Sequence, residues 1–392
     1  MRILKIILIF CHSYIYSQTY NIYLDADMSI NKKAGESIRN GIMSAIDYYK
    51  EHNPKTKIEL TLKTLNHRGN TRRSLANFKK ALADEKMIAV FGGLHSPPLI
   101  TNNNFINESK ILTLVPWAAG APITRSKVSE NWIYRLSIDD SQAGGFITRE
   151  ALKDGCKSPY LLLEKTPWGK SNEKNMSSAL AKNGIKGFNI RVFDWGITKS
   201  SSSEIALDIA ESEQDCIFFV GNTSDAKRIF NALGRKKVKQ KIYSHWGITG
   251  NNNVEMAEII SSNKLDVSVI QTSFSFVDKN LNNIQKKIAK FILKKNKYQN
   301  LSELSPVSGW AHSFDLTLIL LHAIDKIKIK KADSISIIRH RIKESIEDVS
   351  NIKGLIKVYN KPFNNNEKYN SHEALSSSDY TMRKYQEDGT LR

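Results

Sequence analysis

The residues best suited to chemistry in this chain of 392 residues stand directly after short apolar runs. Phe91 is followed by Gly92-Gly93-Leu94-His95-Ser96-Pro97-Pro98, and Val115 by Pro116-Trp117-Ala118-Ala119-Gly120-Ala121-Pro122. Further along, Leu163 precedes Glu164-Lys165-Thr166-Pro167-Trp168-Gly169, Val220 precedes Gly221-Asn222-Thr223-Ser224, and Ser244 precedes His245-Trp246-Gly247. Glycine lets the backbone come close to a ligand, and Ser96 offers a hydroxyl beside a free amide. The first two runs together suit a carboxylate held on backbone donors, with Trp168, Asn222 and Trp246 facing it. Each run alone has a plain explanation, a turn for Gly-Gly or a core position for tryptophan. Five in succession favour a binding site.

Catalysis is less well served. A nucleophilic serine needs a base within hydrogen-bond reach and a third group to orient that base. His95 and Ser96 are chain neighbours, which seldom point at one another, and no GxSxG elbow is present. Trp168-Gly169-Lys170-Ser171 ends like a phosphate-binding loop, but Glu164 stands where that motif needs glycine. There is no HExxH and no GxGxxG after a strand. No enzyme activity, cofactor or metal is expected.

The elements that would position these runs alternate in type. Tyr20 to Leu24 reads as a strand. A helix from about Gly35 to His52 places Ile38, Ile42, Ala45, Ile46 and Tyr49 on one face. Strands follow at 58–65, 88–91 and 111–115, with a helix at 72–84. After Asp140 the cycle restarts: helices at 144–153, 172–183, 203–211 and 224–233, strands at 160–163, 191–194, 216–220 and 241–244. This repetition predicts parallel sheets with helices on both faces, in two doubly wound α/β units. Ligands of such sheets bind beyond the carboxyl ends of the strands, where the five runs lie. Three further helices, 281–297, 307–327 and 334–348, precede a tail of weak periodicity.

Composition sets the broader class. The chain is 41% hydrophobic and 25% charged, a balance suited to soluble globular units. Met1 to Phe10 places Arg2 and Lys5 ahead of a short apolar run, and polar residues follow to Gln18, the order of an exported protein's signal peptide. Cys11 follows bulky Phe10, which argues against a lipid anchor. Beyond it, Cys156 and Cys216 each precede an apolar run at what would be one edge of a sheet; two buried free thiols are expected, with a disulfide open to an oxidising compartment. The net charge of +19 is spread along the chain with no nucleic-acid motif. It reads as a solvated surface.

At its loops the sequence resembles the type I periplasmic binding proteins, specifically the leucine/isoleucine/valine-binding class that serves ABC importers. The stretches that carry the likeness are FGGLHSPP (91–98), VPWAAGAPIT (115–124), YRLSIDDSQAGGF (134–146), EKTPWGKSNEKN (164–175) and SHWGITG (244–250). The resemblance implies two lobes joined by three crossing strands, near 135–139, 273–277 and Tyr380. It implies a signal peptide over 1–17, lobe I from 18–137 plus 278–375, and lobe II from 138–277 plus 376–392. In amino-acid-binding members, the loops matching His95-Ser96 and Ala118-Ala119-Gly120 hold the ligand's carboxylate, and an aromatic residue at the position of Trp168 covers it. Asp27, Met28 and Ser29 in the first loop, with Asn222, Trp246 and Phe274, complete the expected contacts. Three positions depart from the family's pattern: Gly120 replaces a threonine, Trp246 a glutamate that pairs with an ammonium, and Asn222 a tyrosine. A carboxylate, amide or aromatic ligand therefore fits as well as an aliphatic amino acid, with Asp27 a further partner for an ammonium. The implied function is capture of a small polar solute by hinge closure, outside the cytoplasm, for a membrane permease. A sensing partner of a separate receptor, or a hydrolase, is the alternative. Neither nucleic acid nor stable membrane insertion is expected.

Overall fold

The computed structural model describes residues 18–125, 130–330, 332–363 and 372–392. The expected signal segment, 1–17, lies outside them. The chain opens with β1 (Gln18–Ala26), α1 (Lys32–His52), β2 (Ile58–Asn66), α2 (Thr71–Leu82), β3 (Met87–Gly92), α3 (Ser96–Thr101), α4 (Asn103–Glu108), β4 (Thr113–Val115) and β5 (Ile133–Arg135). Next come α5 (Asp140–Lys153), β6 (Pro159–Glu164), α6 (Pro167–Lys182), β7 (Asn189–Phe193), α7 (Lys199–Glu211), β8 (Cys216–Val220), α8 (Thr223–Arg235), β9 (Lys241–Ser244), α9 (Asn253–Ser262) and β10 (Val267–Thr272). The remainder is α10 (Asn283–Asn296), α11 (Val307–Lys326), α12 (Ile335–Glu347), the pair β11 (Ile352–Lys353) and β12 (Val358–Tyr359), β13 (His372–Glu373) and β14 (Tyr380–Lys384).

These strands form two six-stranded sheets, ordered β13-β5-β4-β3-β1-β2 and β14-β10-β9-β8-β6-β7. All neighbours are parallel except β10 and β14, and each sheet is the centre of an α/β lobe. The chain passes between the sheets after β5, after β10 and after β13, so three segments join the lobes. β3 is buried along its whole length because helices cover both faces of the first sheet. Its neighbour β1 sends Tyr20, Ile22 and Leu24 toward the core under α1 and α11, while Tyr23 packs with Phe78 and Ile106 on the other side. α11 is buried along most of its length, consistent with its continuous apolar sequence.

Most elements lie within a few residues of the positions read from periodicity. α3 and α4 are six residues each, too short to show a helical repeat, and α9 and β10 likewise leave no clear pattern. Two starts differ in a way that matters. α6 begins at Pro167, capped by the Thr166 hydroxyl, so Trp168 sits in the first helical turn rather than in a loop. α5 begins at Asp140, with Asp139 accepting the N–H of Ser141.

The expectation of two free thiols is overturned. Cys156 and Cys216 form a disulfide, with Cα atoms 5.8 Å apart. The cause is register: Cys216 pairs with Pro159 where β8 lies beside β6, so the turn before β6 brings Cys156 against it. The bridge spans 60 residues of sequence and both cysteines are buried. Replacing both with serine should cost about 2–5 kcal/mol of unfolding free energy. Urea unfolding of the oxidised protein and the double variant measures this; coincident midpoints would show that the bridge adds nothing.

Candidate functional site

Strand-end loops from both sheets converge on one small cavity. Leu94, His95, Ser96, Pro97 and Ala119 line it from the first lobe; Glu164, Trp168, Asn222, Trp246 and Gly247 line it from the second. Its free volume is about 20 Å³, room for roughly one water molecule. The lobes meet around it. Ala121 N–H donates to the Ser171 hydroxyl at 3.2 Å, the Asn251 amide donates to the Ile30 carbonyl at 2.9 Å, and the Trp117 and Trp246 rings pack edge to face at 6.1 Å. A wider groove of about 730 Å³ beside His52 and Ile324 is open to solvent and lies away from the strand ends.

On the first lobe, His95 ends the loop after β3. Its Nε2 lies 3.3 Å from Asp27 Oδ2 and 3.2 Å from the Asn31 amide. Asp27 also accepts the N–H groups of Ser29, Ile30 and Asn31. Burial alone would raise the pKa of Asp27, but hydrogen bonds from His95 and these amides outweigh it and hold the carboxyl well below the usual range. Asp27 therefore braces the first loop and His95 rather than facing the cavity. Ser96 accepts Gly120 N–H at 3.0 Å, so the two loops expected to hold a carboxylate are bonded to each other. Gly120 is packed: a Cβ there would lie 2.8 Å from Ile100 Cδ1 and 3.0 Å from Ser96 Cβ. Arg135 donates to the carbonyls of Gly120 at 2.8 Å and Ala118 at 3.4 Å, fixing the second loop from beneath.

On the second lobe, close approach of backbone dictates the sequence. A Cβ at Gly169 would fall 1.7 Å from the Glu164 carbonyl, so only glycine lets α6 start this tightly against β6. A Cβ at Gly247 would lie 2.7 Å from the Trp168 ring, so that glycine gives the indole its place. Trp168 Nε1 donates to Asp140 Oδ1 at 3.2 Å. His245 Nε2 is 3.1 Å from the same oxygen but out of line for a hydrogen bond, and Asp140 Oδ2 is left without a partner. The Asn222 side-chain oxygen caps α8 by accepting the N–H groups of Ser224 and Asp225, and its amide donates to Asp225 at 2.7 Å.

Glu164 closes β6 and is 3% exposed. Its Oε1 accepts from the Thr166 hydroxyl at 2.7 Å, while Oε2 has no hydrogen-bond partner. Burial pushes its pKa up to about 7; Thr166 and Asn222 pull it down and the charge of Asp225 pushes it further up.

Of the residues singled out in the sequence, His95, Ser96, Ala119, Trp168, Asn222 and Trp246 line the cavity. Asp27 supports it from one layer behind. Met28 is half-buried, and Ser29 is exposed and accepts from the Asn66 amide at 2.7 Å. Ala118 is buried in the core on the far face of the first sheet. Phe274 packs on Phe276 at 5.0 Å where the chain returns to the first lobe. Leu94, Pro97 and Gly247 belong to the lining too; their place in the strand-end runs was the available signal. Glu164, which the sequence presented only as part of a strand-end run and as a mismatch to a phosphate-binding loop, is the one carboxylate in the cavity lining. His95 and Ser96 share no hydrogen bond among the described residues, so they form no nucleophile–base pair here.

The profile of the periplasmic binding protein family matches residues 24–290, and the chain belongs to that family. No curated protein matches the sequence. Among solved structures, the chain is similar to a periplasmic binding protein type 1 from Bordetella pertussis, 15% identical with a TM-score of 0.76 over 95% of this chain and 99% of that one. It is similar to the leucine-binding protein LivK from Thermotoga maritima, at 17% identity and a TM-score of 0.73 over 95% and 97%. It is also similar to LivJ from Streptococcus pneumoniae, solved with isoleucine, at 16% identity and 0.73 over 95% and 97%. At such identities the likeness establishes the fold, that of the leucine/isoleucine/valine-binding class.

The position of Glu164 has a measurable consequence. Its pKa in the folded protein, about 7, exceeds the unfolded value near 4.5. The folded state thus holds a proton that the unfolded state has lost, and stability falls as pH rises from 4.5 through 7. Glu164→Gln should remove that loss, making the variant more stable than the parent at pH 8 by on the order of 2–3 kcal/mol and nearly equal at pH 4.5. Denaturant unfolding at both pH values tests it, and a constant difference would count against a buried, titrating Glu164.

Proposed function

We propose that this protein captures a small polar solute between its lobes, outside the cytoplasm, and hands it to the membrane permease of an ABC importer. The observation that carries the reading is the single cavity at the carboxyl ends of both sheets, lined equally by the two lobes. A ligand touching both walls favours the closed arrangement because only that arrangement supplies both sets of contacts. About 20 Å³ is too little for an amino acid, so a solute of that size requires the lobes to part at the three joining segments. On this reading lobe I is 18–137 plus 278–375 and lobe II is 138–277 plus 376–392.

Several observations agree. The family is one of binding proteins rather than enzymes. A buried disulfide persists in oxidising compartments and is rare where thiols are kept reduced. No helix among the described residues is long and apolar enough to cross a membrane. The LivJ structure contains isoleucine, and an ABC transporter substrate-binding protein from Desulfitobacterium hafniense was solved with leucine.

A thermal-shift screen of the purified protein against amino acids, amides, amines and aromatic acids tests the proposal. Ligand at 100 times its Kd adds about 2.7 kcal/mol of stability and so raises Tm. Trp168 and Trp246 are 8% and 1% exposed, so truncation to alanine would also empty the core; leucine is the better probe. Trp168→Leu should weaken the best hit tenfold or more by calorimetry. A screen without any shift, or an affinity indifferent to both tryptophans, would remove the solute from this cleft.

A further inference from the structure

The cavity's charge is one-sided. Glu164 is its sole carboxylate, and neither lysine nor arginine reaches the lining. His95 is occupied by Asp27 and Asn31. Two backbone donors of the loop after β4 are already used, Gly120 N–H by Ser96 and Ala121 N–H by Ser171. Against this, Glu164 Oε2 is buried with no partner, in a wall shared with two indoles. A ligand carboxylate brought here would meet a like charge without a compensating cation. A ligand ammonium would meet a carboxyl group with one unbonded oxygen and no cation beside it, together with two aromatic rings, each worth about 0.5–2 kcal/mol to a cation.

Resting on the solute-binding reading above, we infer that the preferred ligand carries an ammonium group and that Glu164 is the residue that pairs with it. Glu164 leaves β6 from the second lobe and shares the cavity wall with Trp168 and Trp246. The proton that burial keeps on Glu164 near neutral pH is released as the cation arrives. The groups facing Glu164 are Asp225, Thr166 and Asn222 on its own lobe and His95 across the cavity. Asp225 is itself paired at 3.9 Å with Arg228, which is half exposed and points away to solvent.

Three compounds of matched shape separate the possibilities: 3-methylbutylamine, leucine and 4-methylpentanoate, titrated at pH 8 by tryptophan fluorescence and calorimetry into the intact protein and into Glu164→Gln. The amine should bind at least tenfold more tightly than the acid. Glu164→Gln should lose tenfold or more of amine affinity, about 1.4 kcal/mol, while unfolding at no lower a temperature than the parent. Acid binding as tight as amine binding, or equal amine affinity in the two proteins, overturns the inference and leaves solute binding standing. Failure of all three compounds to bind overturns it as well; the wider screen then decides separately whether the cleft binds solutes at all.

Discussion

The two lobes and the loop after β4 hang from one buried guanidinium. Arg135, 0% exposed at the end of β5, donates to Glu373 at 2.7 and 2.6 Å and to Asp139 at 2.8 Å, besides the carbonyls of the Ala118–Gly120 loop. Arg125 joins from the rim through Asp139 at 2.5 Å, so two cations face two carboxylates. The Asp139 N–H donates to the Tyr380 hydroxyl at 3.0 Å. One side chain thereby ties the first joining segment, the third joining segment and a wall of the cavity. Burial would raise the carboxyl of Asp139, but the two guanidinium groups hold it below its usual range. Charges this deep are tolerated only when mutually satisfied, and losing one partner of such a set typically costs about 3–5 kcal/mol.

The second joining segment is held by ionic and neutral contacts together: Arg383 pairs with Asp278 at 2.7 and 2.9 Å and donates to the Ser273 carbonyl at 2.6 Å. His312 on α11 bridges the Thr272 hydroxyl at 3.0 Å and the Pro116 carbonyl at 2.8 Å, and burial drops its pKa to about 4, so it remains a neutral linker at physiological pH. Its ring packs against Trp246 at 5.5 Å. The end of β10, the loop after β4 and the indole of the second lobe are thus one packed unit. The cavity wall and this joint therefore share packed side chains.

The sequence displayed the fold wherever one element could be read by itself. The helical face of Ile38, Ile42 and Ile46 and the apolar run of β8 needed no distant partner to be recognised. The strand-end runs were legible for the same reason, since parallel sheets put function at carboxyl ends. What it concealed are partnerships. Arg135 and Glu373 are separated by 238 positions, and nothing local marks either as buried. The cysteine pair depended on β8 lying next to β6, a matter of strand order. Asn222 shows why capping and binding are hard to separate in a sequence: it lines the cavity and also caps α8, because both roles call for the same side chains where a strand end enters a helix.

That overlap also locates the cleft's cost. Asn31 Oδ1, Trp117 Nε1, Asp140 Oδ2, Glu164 Oε2, Asn172 Oδ1 and His245 Nε2 are all buried without hydrogen-bond partners among the described residues, and Glu164 lines the cavity between the lobes. Trp132 Nε1, Ser177 Oγ, Asn253 Oδ1, Ser275 Oγ, Arg339 Nε and Arg383 Nε are buried in the same way, whereas the Asp27 carboxylate is fully engaged in its cap network. Each orphan costs about 1–3 kcal/mol when water is excluded. A shut, dry seam is therefore unfavourable by itself, and parting the lobes would let water reach Glu164 Oε2. Under the proposed hinge closure this bias is useful: a protein that must release its cargo cannot rest stably closed, and a ligand that pairs Glu164 offsets part of the cost of closing. The ring contacts among Trp117, Trp246 and His312 add to the hydrogen bonds from Ala121 and Asn251 across the seam, and their lack of direction suits a joint that must open.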